Sequence, residues 1–385
     1  MKFLIVVPDT NMGGVTSSAV NLANELSRRN HLVTFLDMQG DFLCKERLDE
    51  VVNLLSLTGR SRLWNLGEKD LKKAKGFKKI ALAFLGLFKK ITIKSGLWFR
   101  LIFKKQKQLG EFDVAFAFRQ CSPCYSFVLN KVKAKKKIGF VHGELSHMGD
   151  ISSWKKFMPK FDKIAYVANA VKEQFVKRFP EFSKNACTIY NTFDFERIYQ
   201  LSAQINPIEF NKNKKNIVTV ARVSQEKRIE WVPNVCKKLK EKLGNVFHWY
   251  ILGDGPEAEN VKEKIEELQV GDVLTMVGSV LNPYAILKEA DFSVLPSKTE
   301  AYPMVVTESF ALGIPLVVTD FPSIYEMMKN NVQGLIVESN IDALVEGVAE
   351  MINNSLLLEK CKQNITSQSY DNEKSISQLM QAIEG

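Results

Sequence analysis

Residues 292–319 read FSVLPSKTEAYPMVVTESFALGIPLVVT. The apolar run FSVL is a short strand, and LVVT is a second one. Between them TESFALG continues a helical pattern that Gly313 and Pro315 terminate, and Pro303 suits the first turn. Strands that are apolar throughout and joined through a helix predict a parallel sheet covered on both faces. A helix that begins straight after a strand aims unpaired N–H groups and a positive dipole end at the neighbouring cleft, where phosphate is the natural occupant. Glu300 and Glu308 flank this start. Phosphate would repel them, so they make better sense gripping sugar hydroxyls on either side of a diphosphate.

Outward from this unit the same alternation recurs. Downstream of residue 216 come NIVTVARV, WVPNVCKKLKEKLG, HWYILGDG, VKEKIEELQV and VLTMVGSV. Upstream, FLIVV, a glycine-containing loop and a helical stretch from Thr16 to about Arg29 are followed by HLVTFLDM, VAFAF, KKIGFVH and KIAYVAN. At 385 residues the chain suits two domains. The expected fold class is α/β, with two Rossmann-like domains facing across a cleft. The boundary is placed near residues 196–215, where YNTFDFERI gives way to the polar, unpatterned NPIEFNKNKKN, giving domains at 1–200 and 210–365. A last helix within 366–385 is left free to cross back to the N-terminal domain or to stay with the second.

The net charge of +10 is unevenly placed. Residues 1–200 carry 35 Lys/Arg against 18 Asp/Glu, whereas residues 201–385 carry 18 against 25. The basic half calls for an anionic partner, nucleic acid or an anionic membrane. Residues 60–107 concentrate this charge, with 15 cations and only Glu68 and Asp70 as acids, interleaved with IALAFLGLF and GLWFRLIF. No run reaches the ~18 apolar residues of a spanning helix. A basic amphipathic segment lying in the interface is expected instead, with Trp98, Phe99 and Phe103 as its membrane contacts; the alternative is an ordinary surface helix packed on the sheet. Six scattered cysteines and a first strand too short for a signal sequence point to a reducing cytoplasm.

Arg222 and Lys227 lie in VARVSQEKRIE, at the end of a strand, where cations neutralise the charge developing on a leaving diphosphate. Gly13 and Gly14 occupy the first strand–helix loop, where glycine permits positive φ and close approach of a ligand. Gly253-Asp-Gly255 lacks the third glycine and trailing acid of a dinucleotide fingerprint. Cys121-Ser-Pro-Cys124 has redox spacing but no second pair, and reads as two loop cysteines. No D-x-D, H-E-x-x-H or Walker loop occurs.

Together these residues resemble the retaining glycosyltransferases of GT-B fold, family four in the usual numbering, many of which build bacterial surface polysaccharides. The matching positions run from Gly13–Gly14 through His142 in FVHGE and Asn191 in IYNTFD to Arg222, Lys227, Gly253, Glu300–Glu308, Asp320 and Glu326. The resemblance implies that Arg222 and Lys227 hold the diphosphate and Glu308 the ribose. It implies that Glu300 and the backbone amides of Tyr302, Met304 and Val305 hold the donor sugar and phosphate. Val280 would offer its backbone to the base, and His142, otherwise a structural imidazole, would contact the sugar from the first domain. Glu300 and His142 are thus the expected catalytic residues. Ala301-Tyr302 replaces the family's glycine–phenylalanine, and Pro322-Ser323 its glycine pair, which leaves the sugar identity open.

The implied reaction moves a sugar from a nucleoside diphosphate, expected to be UDP, to a hydroxyl of a lipid-linked saccharide or glycolipid, with retention. The departing phosphate takes the acceptor proton, so no protein nucleophile is required. No cofactor and no metal are expected. The expected location is cytoplasmic, peripheral on the inner face of the cell membrane, with an anionic membrane surface rather than nucleic acid as partner. A sugar-nucleotide epimerase of the same architecture is the rival enzyme. A nucleic-acid-binding protein would leave the paired glutamates unexplained.

Overall fold

The structure is a computed structural model that describes the chain except residues 12, 58–63, 66–75, 93–96, 105 and 146–150. The chain divides into two units, Met1–Phe193 with Asn372–Gly385, and Asp194–Asp371.

Among the described residues unit 1 is built on seven strands: β1 (Lys2–Val7), β2 (Leu32–Asp37), β3 (Asn53–Ser56), β4 (Leu109–Ala117), β5 (Val132–Val141), β6 (Lys163–Tyr166) and β7 (Ala186–Thr188). They form one sheet in the order β3-β2-β1-β4-β5-β6-β7. All its pairings are parallel, for example Lys2 opposite Leu32 and Val6 opposite Ala117. Helices cover both faces, so Phe3, Ile5, Val7, Phe35, Phe116 and Ile138 are buried in one core. This explains why the strands lack hydrophobic alternation.

Unit 2 has six strands: β8 (Lys215–Val220), β9 (Phe247–Leu252), β10 (Leu274–Gly278), β11 (Phe292–Leu295), β12 (Leu316–Thr319) and β13 (Gly334–Val337). Their order is β10-β9-β8-β11-β12-β13, again parallel. Ile217, Trp249, Phe292 and Val317 anchor its core. Trp249 donates to the Thr219 hydroxyl at 3.0 Å, and Thr219 donates to the Val294 carbonyl at 2.7 Å, tying β9, β8 and β11 together.

Both sheets share one topological property. The direction of chain progression reverses between β1 and β4 in unit 1 and between β8 and β11 in unit 2. In open parallel sheets such switch points leave a crevice at the carboxyl ends of the strands, where ligands bind.

The chain passes from unit 1 to unit 2 after Phe193, just before the 196–215 stretch, because the helix Phe195–Ser202 packs in unit 2. The last helix, Glu373–Glu384, packs on unit 1. It buries Ile376, Leu379 and Ile383 in the unit 1 core, each worth about 1.5–3 kcal/mol. Gln378 accepts from the Tyr190 amide at 3.0 Å, and Asn372 donates to Glu25 at 2.7 Å.

The apolar face of the basic segment is not where the sequence places it. Trp98, Phe99 and Phe103 are buried, at 1% exposure each. The short helix Leu97–Ile102 packs against the helix Ser122–Lys131, and Phe103 meets the Phe127 ring edge-on at 5.3 Å. The helix Gly76–Thr92 instead exposes Phe77, Ile80, Phe84, Leu87, Phe88 and Ile91. Those positions recur at helical spacing and form one face. Parts of the 60–107 segment (60–63, 66–75, 93–96 and 105) lie outside the described residues. Among the described residues no helix is long and apolar enough to cross a membrane.

Candidate functional site

The loops leaving β8 and β11 carry the charged residues of the unit 2 switch point. Lys227 and Glu300 form an ion pair there, with side chains only 24% and 10% exposed. Glu300 Oε1 also accepts from the Ser297 hydroxyl at 2.7 Å, and the Glu300 carbonyl accepts from the Ser323 hydroxyl at 2.7 Å. Thr319, at the end of β12, donates to the Ser297 carbonyl at 2.6 Å. Ser297, Thr319 and Ser323 are fully buried, so this turn is braced from two neighbouring strand ends. A half-buried, hydrogen-bonded pair is held in place far more firmly than an exposed one. Arg222 stands exposed at the same strand end and makes no hydrogen bond or ion pair among the described residues.

Beyond Glu300, Pro303 occupies the N-cap of the helix Met304–Ala311, with φ −68° and ψ 112°. Four other helices of unit 2 are capped by the side chains of Asp194, Asn282, Asn340 and Asn354. This one, like the helices Val232–Leu243 and Ala258–Glu267, has no side-chain cap, which leaves its first amides, those of Met304 and Val305 among them, open to a ligand. Tyr302 is half-buried and its hydroxyl bonds Thr307; burial pushes its pKa up to about 12, so it stays a neutral hydrogen-bonding group. One turn along the helix Glu308 Oε1 accepts from the Tyr284 hydroxyl at 2.9 Å. Tyr284 opens the helix Pro283–Lys288, whose cap Asn282 follows the Gly278–Val280 turn. Val280 packs its side chain on the core beside Tyr250 and Ile286. The Gly278 carbonyl accepts from the Gly253 amide at 2.8 Å.

Gly253 and Gly255 matter more than their incomplete fingerprint suggests. A Cβ at Gly253 (φ +150°) would stand 1.8 Å from the Ala221 carbonyl oxygen, and one at Gly255 would stand 2.2 Å from that of Val223. They let the loop after β9 press against the loop that carries Arg222 and Lys227.

Gly13 and Gly14 are a different case. Gly13 is extended at φ 168° and Gly14 begins the helix Gly14–Arg28, so positive φ is not their reason. Among the described residues nothing lies within 4 Å of a Cβ at either.

His142 follows β5 in unit 1. Its ring packs on Phe118 and Phe140, with centroids 4.8 and 5.6 Å away, and hydrogen-bonds the Phe118 backbone. Its own amide donates to Gln120 Oε1 at 3.1 Å. Burial lowers its pKa to about 3, so the imidazole is neutral near pH 7. Nε2 is buried with no partner among the described residues. Asn191 has a bracing position: it accepts from Ser18 at 2.7 Å, and its carbonyl accepts from Ser375 at 3.3 Å.

The sequence reading missed four groups: Ser297, Ser323 and Tyr284 around the glutamates, and the ion pair of Asp9 with Arg119 at 2.9 Å. The last two follow β1 and β4, at the switch point of unit 1. Among the described residues no group of three His, Cys, Asp or Glu is placed to hold a metal ion.

The sequence profile of "Glycosyl transferases group 1" matches residues 202–368, a span that contains Arg222, Lys227, Glu300 and Glu308. Residues 202–368 are a group 1 glycosyl transferase domain. The whole chain resembles a TarM mutant of S. aureus, solved in complex with fondaparinux, alpha-GlcNAc-glycerol and UDP. Their TM-score is 0.71, at 15% identity over 100% of both chains, which shows a shared GT-B fold. The chain is 29% identical over 156 residues to the amylovoran biosynthesis glycosyltransferase AmsK of Erwinia amylovora, 36% of this chain and 38% of that one. It is 27% identical over 206 residues, 53% and 54% of the two chains, to an N-acetylgalactosamine-N,N'-diacetylbacillosaminyl-diphospho-undecaprenol 4-alpha-N-acetylgalactosaminyltransferase of Campylobacter jejuni subsp. jejuni. Three further curated relatives are matched over 35–47% of their own length. The glycosyl transferase domain thus carries the braced Lys227–Glu300 pair, the uncapped helix start and Glu308 in one stretch.

Proposed function

We propose that the protein is a retaining glycosyltransferase of surface polysaccharide synthesis. It moves a sugar from a nucleoside diphosphate, UDP by preference, to a hydroxyl of a lipid-linked saccharide. The observation that carries this is the Lys227–Glu300 pair at the unit 2 switch point, braced by Ser297 and followed by an uncapped helix start. Arg222, Lys227 and the amides of Met304 and Val305 neutralise the diphosphate as its charge develops. Glu300 orients the donor sugar, with one oxygen engaged by Lys227 and Ser297 and the other left for a sugar hydroxyl. Glu308, held by Tyr284, takes the ribose hydroxyls. The leaving phosphate accepts the acceptor proton on the face it departs from, which accounts for a site without an activated nucleophile. His142 acts as a neutral hydrogen-bonding group, not as a general acid.

The UDP complex of TarM supports the carrier, and the Campylobacter relative's name supports a diphospho-undecaprenol-linked acceptor and an alpha linkage. We assign the acceptor to unit 1, where Asp9 and Arg119 stand at the switch point. Membrane contact falls to the helix Gly76–Thr92, whose exposed apolar face lies among Lys79 and Lys90, suited to an anionic inner-leaflet surface.

The test incubates the purified chain with a panel of UDP-sugars and a polyprenyl-diphosphate saccharide, and assigns the product anomer by NMR. Transfer with retained configuration supports the proposal. Inversion contradicts the mechanism, and conversion of the donor sugar without acceptor favours the epimerase.

A further inference from the structure

Cys121 and Cys124 have a setting that a pair of loop cysteines lacks. Cys121 is the N-cap of the helix Ser122–Lys131, and its carbonyl accepts from the Tyr125 amide at 3.0 Å. Cys124 lies on the first turn of that helix, three residues on from Cys121. Cys121 is partly exposed, whereas Cys124 is buried with its Sγ donating to the Val6 carbonyl at 3.2 Å. Both are free thiols.

The pair also sits at the carboxyl end of β4, at the unit 1 switch point. The residues just before it hold that region together. Phe118 packs on the His142 ring, Arg119 pairs with Asp9, and Gln120 accepts from the His142 amide. The Cys124 amide on the first helical turn and the neighbouring Arg119 guanidinium both favour a thiolate on Cys121. The Cys121 thiol is accordingly drawn below its ordinary value, first by the neighbouring Cys124 side chain, then by the Cys124 amide and the Arg119 charge. Burial pushes the Cys124 thiol up. The asymmetry is that of an attacking and a resolving cysteine.

We propose that Cys121 and Cys124 form a redox-modifiable dithiol whose co-reactant is a small disulfide of the glutathione class. The Cys121 thiolate attacks the disulfide, forming a mixed disulfide on Cys121 and releasing one small thiolate, which takes the Cys124 proton. The Cys124 thiolate then attacks the Cys121 sulfur, closing the protein disulfide and releasing the second small thiolate, which is protonated from water. Two protein thiols are oxidised, and one small disulfide is reduced to two thiols. Closure to an S–S distance of ~2.05 Å gives up the Cys124 bond to the Val6 carbonyl. It moves the chain at Arg119 and Gln120, and acceptor binding weakens. That last consequence rests on the reading of unit 1 as the acceptor unit, whereas the thiol chemistry does not.

The test equilibrates the native full chain with oxidised glutathione, then denatures and alkylates it and maps the adducts by mass spectrometry. The expected result is a peptide spanning Cys121–Cys124 that has lost two hydrogens and takes no alkylating agent, while Cys44, Cys187, Cys236 and Cys361 are alkylated. Cys124→Ser should stop at a glutathione adduct on Cys121, and Cys121→Ser should prevent both products. Full alkylation of Cys121 and Cys124 in the wild type overturns the proposal, as does equal modification of all six cysteines. A severalfold rise in acceptor KM on oxidation, absent in Cys121→Ser, supports the link to unit 1. A disulfide that leaves acceptor KM unchanged removes that link and keeps the modification site.

Discussion

The two switch points share a topology and differ in how they hold charge. In unit 2 the Lys227–Glu300 pair is largely buried, and serine and threonine hydroxyls from β11, β12 and the turn beyond brace it. In unit 1 the Asp9–Arg119 pair has a guanidinium 47% exposed, and Asn11 is the further partner of Asp9. An exposed pair contributes about 0–1 kcal/mol, while removing one partner of a buried pair costs about 3–5 kcal/mol. The braced site therefore suits preorganised stabilisation of a fixed diphosphate. The looser one suits an acceptor that must be admitted and released.

The largest effect should come from Glu300. Glu300→Gln keeps the size of the side chain and a hydrogen bond to Ser297, but loses the charge that faces Lys227. Turnover should fall about 10²–10³-fold, the scale of one preorganised contact, with an unchanged circular dichroism spectrum. Near-normal turnover would erase the distinction between the two switch points.

Arg119→Ala should act on the other side of the comparison. Acceptor KM should rise about 10-fold, equivalent to ~1.4 kcal/mol, while donor KM stays constant. A donor effect as large as the acceptor effect would contradict the separate roles.

His142 gives a smaller, pH-dependent effect. Its folded-state pKa of about 3 lies below the ordinary 6.5, so the unfolded chain binds this proton more readily. Its stability contribution is complete above about pH 6.5 and is lost as pH falls towards 3. Between pH 7 and 5 urea denaturation should show a loss of about 1–2 kcal/mol that His142→Asn abolishes. An unchanged pH slope in the variant would place the titration elsewhere.

The membrane proposal predicts the most local effect. Replacing Phe77 and Phe84 with Ser should reduce sedimentation with anionic vesicles and leave donor affinity alone. The same loss with neutral vesicles would point to apolar contact without the lysines.

Strand sequence made the fold legible, because buried parallel strands are apolar throughout, and Glu300 and Glu308 drew attention to one helix start, whose donor role remains the proposal. The rest depended on contacts that no local pattern encodes. Asp9 and Arg119 meet across 110 residues of chain. Trp98 and Phe77 belong to similar basic, apolar sequence, and only packing against the helix Ser122–Lys131 decides that Trp98 goes inside. Gly253 and Gly255 matched no complete fingerprint, yet the Ala221 and Val223 carbonyls make both glycines obligatory.

Calorimetric titration of a panel of nucleoside diphosphates, UDP included, into the wild type, Arg222→Ala/Lys227→Ala and Arg119→Ala tests the central claim most directly. Wild type and Arg119→Ala should bind one nucleotide with equal affinity, and the double variant should bind it at least ~100-fold more weakly, a change of about 2.7 kcal/mol. Equal binding by all three proteins, or a loss confined to Arg119→Ala, would contradict the assignment of the diphosphate to the braced site of unit 2.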